Sequence, residues 1–233
     1  MIDLLWVDGT WAPRGGSPAS EALRRALDPR KVRFTYVPYP ATFGPATAPG
    51  HISAAQSIAA GVRNLTHAVH AAQYNAVVGG YSQGAMVAYK FAREVLPWRR
   101  ELIVKAVAAM GNPHEPSHRG RGGIAERLGL PRRLLSVWAP GDPIADLDED
   151  APLRSAWDLA EWMSVRDLAS ARRWLDEVVA DLVDGPQDWW RNPDILASLR
   201  GAGNYVFGTQ HTLDYVHGGH ARRLARMIES VAP

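Results

Sequence analysis

Apolar residues fall along this chain in two alternating textures. Runs of six to nine mostly apolar, partly β-branched residues occur at Ile2–Val7, Val32–Val37, Tyr74–Gly79, Leu102–Met110 and Arg133–Trp138. Runs of that length bounded by Gly, Pro and polar residues predict buried strands. Between them the spacing changes to three and four. Ile52, Ala55, Ile58, Ala59, Val62, Leu65 and Val69 share one helical face, and shorter helices are expected at Ser20–Leu27 and from Ala85 to Leu96, where Pro97 ends the pattern. A last helix is expected from about Gly219 to Val231. Strand and helix in alternation predict an α/β fold, a mostly parallel sheet with helices on both faces.

From Ala151 to about Arg200 the strand pattern stops. Ser155–Met163 and Val165–Val183 read as amphipathic helices, Gly185-Pro186 breaks the run, and Asp188–Leu199 is a further helical piece. The expected organisation is one domain, 1–233, with a helical insertion at 151–200. Tyr39–Gly50, His114–Gly129 and Gly201–Gly208 read as loops.

The third strand runs directly into Gly80-Tyr81-Ser82-Gln83-Gly84, and a helix follows. Strand, tight G-x-S-x-G turn and helix form the nucleophile elbow of α/β hydrolases. Ser82 would stand at the helix N-terminus, and the Gln83 amide would point at the same place as an oxyanion donor. The second donor is expected in the loop after the first strand, where Thr10 follows Asp8-Gly9. A serine hydroxyl needs a base, and the base an orienting acid. In this fold class the chain order is Ser, acid, His. Asp142 lies just past the last strand between Gly141 and Pro143, with Asp146 and Asp148 as rivals in an acidic run. The base is His211, His217 or His220, with His211 favoured by its place in the loop before the terminal helix.

Composition narrows the reading. The chain has 233 residues, 46% of them hydrophobic, enough for a full core. A formal charge of +2 with dispersed basic residues does not indicate nucleic-acid binding. With no cysteine, disulfides, thiolate nucleophiles and Cys-zinc sites are excluded. His67 and His70 lack a partner for a metal site and read as surface residues, and no metal or organic cofactor is expected. The N-terminus reads as a strand rather than a signal peptide, and no apolar run approaches the ~18 residues of a membrane span. Of nine tryptophans, five lie between 157 and 190: Trp157, Trp162, Trp174, Trp189 and Trp190. They are expected to serve as core, and also to line an apolar channel for acyl chains.

These motifs resemble a known family. G-Y-S-Q-G and Gly141-Asp142-Pro143 resemble the elbow and acid turn of cutinase-like serine esterases. The D-G-T turn, Gly111-Asn112-Pro113 and the helical segment between acid and histidine look more like the lysin B enzymes of phages infecting mycobacteria and related actinobacteria. Cutinases usually carry disulfides and place the histidine soon after the acid, whereas 69 positions separate Asp142 from His211 here. The resemblance implies a mycolylarabinogalactan esterase with Ser82 as nucleophile, Asp142 as acid, His211 as base and the amides of Thr10 and Gln83 as oxyanion hole. It implies a phage product made in the host cytoplasm without a signal peptide. Such a protein would act at the envelope after membrane permeabilisation, with no stable membrane insertion. No extra N-terminal peptidoglycan-binding domain is expected. The rival expectations are a cutinase-like lipase or polyester hydrolase, and a catalytically silent envelope-binding protein of the same fold.

Overall fold

A computed structural model describes residues 1–44, 47–48, 50–130, 132–151, 154 and 209–233. The elements are β1 (Ile2–Val7), α1 (Pro18–Ala26), β2 (Val32–Tyr36), α2 (Ala54–His70), β3 (Ala76–Tyr81), α3 (Gln83–Lys90), β4 (Val104–Met110), β5 (Arg121–Gly122), β6 (Arg133–Val137), β7 (Leu147–Asp148), α4 (Leu213–His217) and α5 (His220–Glu229). The expected helical insertion at 151–200, with its five tryptophans, and the loop at 201–208 lie outside the described residues, apart from Ala151 and Arg154.

β2, β1, β3, β4 and β6 form one sheet in that order, and each neighbouring pair is parallel. Alternate residues face opposite layers, as the two-residue period of a strand requires. Ile2, Leu4, Trp6, Val77, Ala106, Ala108, Leu135 and Val137 pack with Leu23 of α1 and with Leu224, Ala225 and Ile228 of α5. Leu5, Val7, Val78, Val107 and Ala109 pack on the other side with Ile58, Val62 and Leu65 of α2 and Ala85–Ala88 of α3. The central strands are apolar on both faces because both are covered.

Local chemistry sets the helix starts. Ser53 and Gln56 close a reciprocal capping box on α2. Ser17 caps α1, with Pro18 in its first turn. Beyond α3 the helix widens into a π-helical turn, Phe91–Val95, before Pro97.

Three features depart from the sequence reading. β3 continues through Gly80 and Tyr81, because Val7 pairs with Gly80 and Met110 with Tyr81; ladder hydrogen bonds on both sides outweigh the low strand preference of glycine. The expected loop at His114–Gly129 contains β5, which pairs antiparallel with β7 and is fastened by Arg121 to Asp146 and Asp148. Two-residue strands carry no readable period. The stretch after His211 is helical, as α4.

The strand–elbow–helix join leaves no room for a side chain. A Cβ on Gly80 would lie 2.1 Å from the Gly84 carbonyl carbon, and one on Gly84 would lie 2.1 Å from the Val7 carbonyl oxygen. Gly84→Ala is therefore expected to cost about 3 kcal/mol or more, a fall in Tm of roughly 10 °C. Gly129→Ala, where a Cβ meets nothing within 4 Å, should change stability by less than about 0.5 kcal/mol. Thermal unfolding of the two variants checks the contrast.

Candidate active site

Ser82 sits between the last residue of β3 and the first of α3 with φ 54° and ψ −121°. A non-glycine residue at such angles is strained and persists only where its surroundings over-determine it. Here they do: the Ser82 amide donates to the Met110 carbonyl at 3.0 Å, and the Ser82 carbonyl accepts from Ala85 at 2.9 Å.

The structure brings three of the sequence-selected residues into one hydrogen-bonded chain. His211 Nε2 lies 2.9 Å from Ser82 Oγ, and His211 Nδ1 lies 2.9 Å and 3.0 Å from the two Asp142 oxygens. In the neutral imidazole this arrangement has Nδ1–H donating to the carboxylate and leaves Nε2 to accept the serine proton. Asp142 is fully buried and His211 nearly so. Asp142 Oδ1 also accepts from the Ile144 amide at 2.8 Å, and Oδ2 accepts from the Tyr215 hydroxyl.

His211 is held from several sides. It ends a 3₁₀ turn, Thr209–His211. Tyr81, the second residue of the G-Y-S-Q-G motif, stacks on the imidazole with ring centroids 5.2 Å apart and donates its hydroxyl to the His211 carbonyl. Gly111, at φ 58°, passes so close that a Cβ there would lie 3.0 Å from His211 Cε1 and 3.2 Å from the Tyr215 hydroxyl. A side chain there would press on the imidazole and would also be strained at that φ, which accounts for the glycine directly after β4.

The rivals are placed elsewhere. Asp146 accepts from the Gly141 amide, His118 and Arg121 at 2.7–3.0 Å. Burial opposes its ionisation, but these donors hold its carboxyl below the usual carboxylate range. It braces the acid turn. Asp148 is exposed and pairs with Arg121. His217 is exposed, and His220 packs edgeways against Tyr215, ring centroids 5.8 Å apart.

The expected oxyanion donors belong to two backbone segments that meet at Ser82. Gln83 opens α3 directly after Ser82, with its side chain tied away: Oε1 lies 3.0 Å from the Tyr39 hydroxyl, and Nε2 donates to the Thr42 carbonyl. Thr10 follows Gly9, where an added Cβ would lie 3.4 Å from Ser82 Cβ, so this turn runs against Ser82. Buried Asp8 shapes the turn by accepting from the Gly9 and Ser17 amides and the Ser17 and Ser20 hydroxyls. The turn is also tied to the Tyr39–Thr42 stretch, since Trp11 donates to the Ala41 carbonyl at 2.9 Å. No group of three or more metal-ligating side chains occurs among the described residues.

Sequence reasoning named Tyr81 and Gly111 only as motif residues, with no role in the site, and did not single out Tyr215 or Glu115. Tyr215 lies in α4, a five-residue helix that leaves no readable period in the sequence. Glu115 is buried beside this site, accepting from Ser136 Oγ and from Asn112 Nδ2. Burial pushes its carboxyl up to about 7; Ser136 and Asn112 oppose the rise, and the nearby Asp142 adds to it.

Residues 8–151 match a family model described as Cutinase, a span that includes Ser82 and Asp142 and stops before His211. No curated protein matches the chain. Among solved structures, it is similar to lysin B from Mycobacteriophage D29, at 19% identity over 95% of this chain and 98% of that one, with a TM-score of 0.64. Looser likenesses, each at 19% identity, are to a cutinase-like protein from Cryptococcus sp. and to an acetyl xylan esterase. The first covers 62% of this chain and 78% of the other with a TM-score of 0.45, the second 78% and 98% with 0.48.

Two outcomes follow from this geometry. His211→Ala should lower kcat for a p-nitrophenyl ester by about 10⁴ or more, while His217→Ala and His220→Ala stay near wild type in the same assay. Folded Glu115 holds its proton to higher pH than the unfolded chain does. Its contribution is therefore fully present below about pH 4.5 and is lost as pH rises to about 7. Glu115→Gln cannot ionise, so it should be more stable than wild type at pH 8, by about 3 kcal/mol. That gain should vanish below pH 4.5, as denaturant melts at the two pH values would report.

Proposed function

The chain belongs to the cutinase family and is a hydrolytic enzyme of the serine-esterase kind, and from that premise we propose that Ser82, His211 and Asp142 carry out two-step hydrolysis of mycolate esters of arabinogalactan in the actinobacterial cell wall. The observation that carries the catalytic part is the hydrogen-bonded chain from Ser82 Oγ through His211 to buried Asp142, mounted on a strained elbow.

Nε2 of His211 takes the serine proton as Oγ attacks the ester carbonyl. Asp142 keeps the imidazole in the tautomer that can accept, and stabilises the imidazolium that forms. The amides of Thr10 and Gln83 receive the developing oxyanion; one such donor is worth roughly 10²–10³ in rate. The imidazolium then protonates the leaving sugar alcohol. Water, deprotonated by the same Nε2, attacks the acyl-enzyme; as the C–Oγ bond breaks and the acid leaves, the imidazolium returns that proton to Ser82 Oγ. These steps call for no metal or cofactor.

The substrate reading is supported by a fold likeness that spans nearly the full length of both chains, to a protein described as a mycobacteriophage lysin B. It also accords with the five tryptophans between 157 and 190, a composition suited to contact with a long branched acyl chain. The Tyr39–Thr42 stretch, tied to Gln83, would border the sugar side. Among the described residues no helix is long and apolar enough to cross a membrane. The proposed setting is synthesis in a host cytoplasm, with access to the envelope once the host membrane is permeabilised.

Purified protein incubated with mycolylarabinogalactan should release free mycolic acids, read by mass spectrometry of the lipid extract, and Ser82→Ala should release none. Rapid turnover of short esters and triglyceride with no mycolate released would favour the lipase or polyester reading. No turnover of any ester by the wild type would favour a silent binding protein.

A further inference from the structure

The charge that Asp142 carries is fully buried, and no arginine or lysine pairs with it among the hydrogen bonds and ion pairs described around it. Besides His211, its donors are the Ile144 amide and the Tyr215 hydroxyl. The two differ. The amide comes from the acid's own turn, whereas the phenol is delivered by α4, across the fold, onto Oδ2. Tyr215 is itself fully buried, its ring edge-on to Tyr81 at 5.8 Å and to His211 at 6.2 Å. Its hydroxyl accepts from the Ala139 amide at 3.2 Å, so its own proton is directed at the carboxylate.

We propose that Tyr215 is a positioning residue of the hydrolytic site: by donating to Asp142 it fixes the carboxylate plane and draws charge from it, and so sets how tightly His211 holds a proton. The inference rests on the reading of Ser82, His211 and Asp142 as the reacting chain. The physical basis is that a carboxylate relieved of charge by a second donor stabilises imidazolium less. Burial first, and Asp142 next, keep the Tyr215 phenol far above its ordinary pKa, so it stays a neutral donor throughout the working range. Tyr81 complements it by gripping the main chain of the same histidine.

Other ionisable groups surround this pair. Tyr81 from β3 and His220 from α5 pack on Tyr215, Glu115 after β4 and Asp146 in the acid turn lie beside Asp142, and Asp8 and Asp214 lie a step further out, beside Tyr81 and His220. All remain in a Tyr215 variant, so the difference between profiles isolates the phenol.

The test is the pH dependence of kcat/KM for a p-nitrophenyl ester, measured for the full chain as wild type, Ser82→Ala, Tyr215→Phe and Tyr215→3-fluorotyrosine. Removing the donor leaves the carboxylate more basic, so the acid limb of Tyr215→Phe should move to higher pH by roughly 0.5–1 unit. Fluorotyrosine keeps the ring and is a stronger donor, so its limb should move to lower pH. A merely structural role would lower the Tm of Tyr215→Phe and leave the limb in place. A limb that is unmoved, or that moves to lower pH in Tyr215→Phe, overturns the inference while leaving the active-site reading intact. If Tyr215→Phe does not fold, the fluorotyrosine protein decides: a limb shifted down supports the inference, and one superposed on wild type overturns it. Turnover retained by Ser82→Ala would bring down both the reading and the inference.

Discussion

The close approach of three backbones at Ser82 is the constraint on which the rest of this site depends. β1, β3 and α3 meet where Gly80 and Gly84 have no side chains, at separations that admit none. That contact holds Ser82 in its strained backbone conformation and puts its hydroxyl at the start of a helix, clear of the sheet. It also presses the turn after β1 against Ser82, so that two backbone amides on different elements become candidates for one oxyanion. Loosening the join would undo geometry and strain together.

A second constraint acts on the buried carboxylate. Taking Asp142 out of water without a cationic partner is costly unless its oxygens are hydrogen-bonded. The Ile144 amide, the His211 ring and the Tyr215 phenol meet that need. The same bonds fix the imidazole, with Tyr81 stacked on its face and Gly111 leaving room at its Cε1. Stability of the acid turn and orientation of the base are thus one piece of chemistry. Asp146 braces the turn from outside, as a carboxylate tied to Arg121, His118 and the Gly141 amide.

Much of this was legible in the sequence, for reasons that can be named. The apolar runs marked the five strands of the parallel sheet because strands covered on both faces leave a continuous hydrophobic record. Ser82 was legible because the elbow demands glycines at fixed positions, and Asp142 because an acid turn sits at the end of a strand. His211 was separable from His217 and His220 only by its place before the terminal helix, since a separation of 69 positions erases any local register with the acid. Tyr215 and Glu115 were not legible. Tyr215 meets Asp142 across 73 positions and Glu115 meets Ser136 across 21, and α4 is too short to print a period. β5 and β7 escaped for the same reason, being set by Arg121 and its two aspartates.

The central claim is that Ser82 is a nucleophile activated by His211. It is tested most directly by reacting the folded protein with a fluorophosphonate probe at a pH near neutrality and mapping the adduct by peptide mass spectrometry. The account predicts one adduct per chain, on Ser82, with esterase activity lost in step with labelling and labelling suppressed in His211→Ala. An adduct on another residue, or full activity in a protein stoichiometrically modified at Ser82, would contradict it.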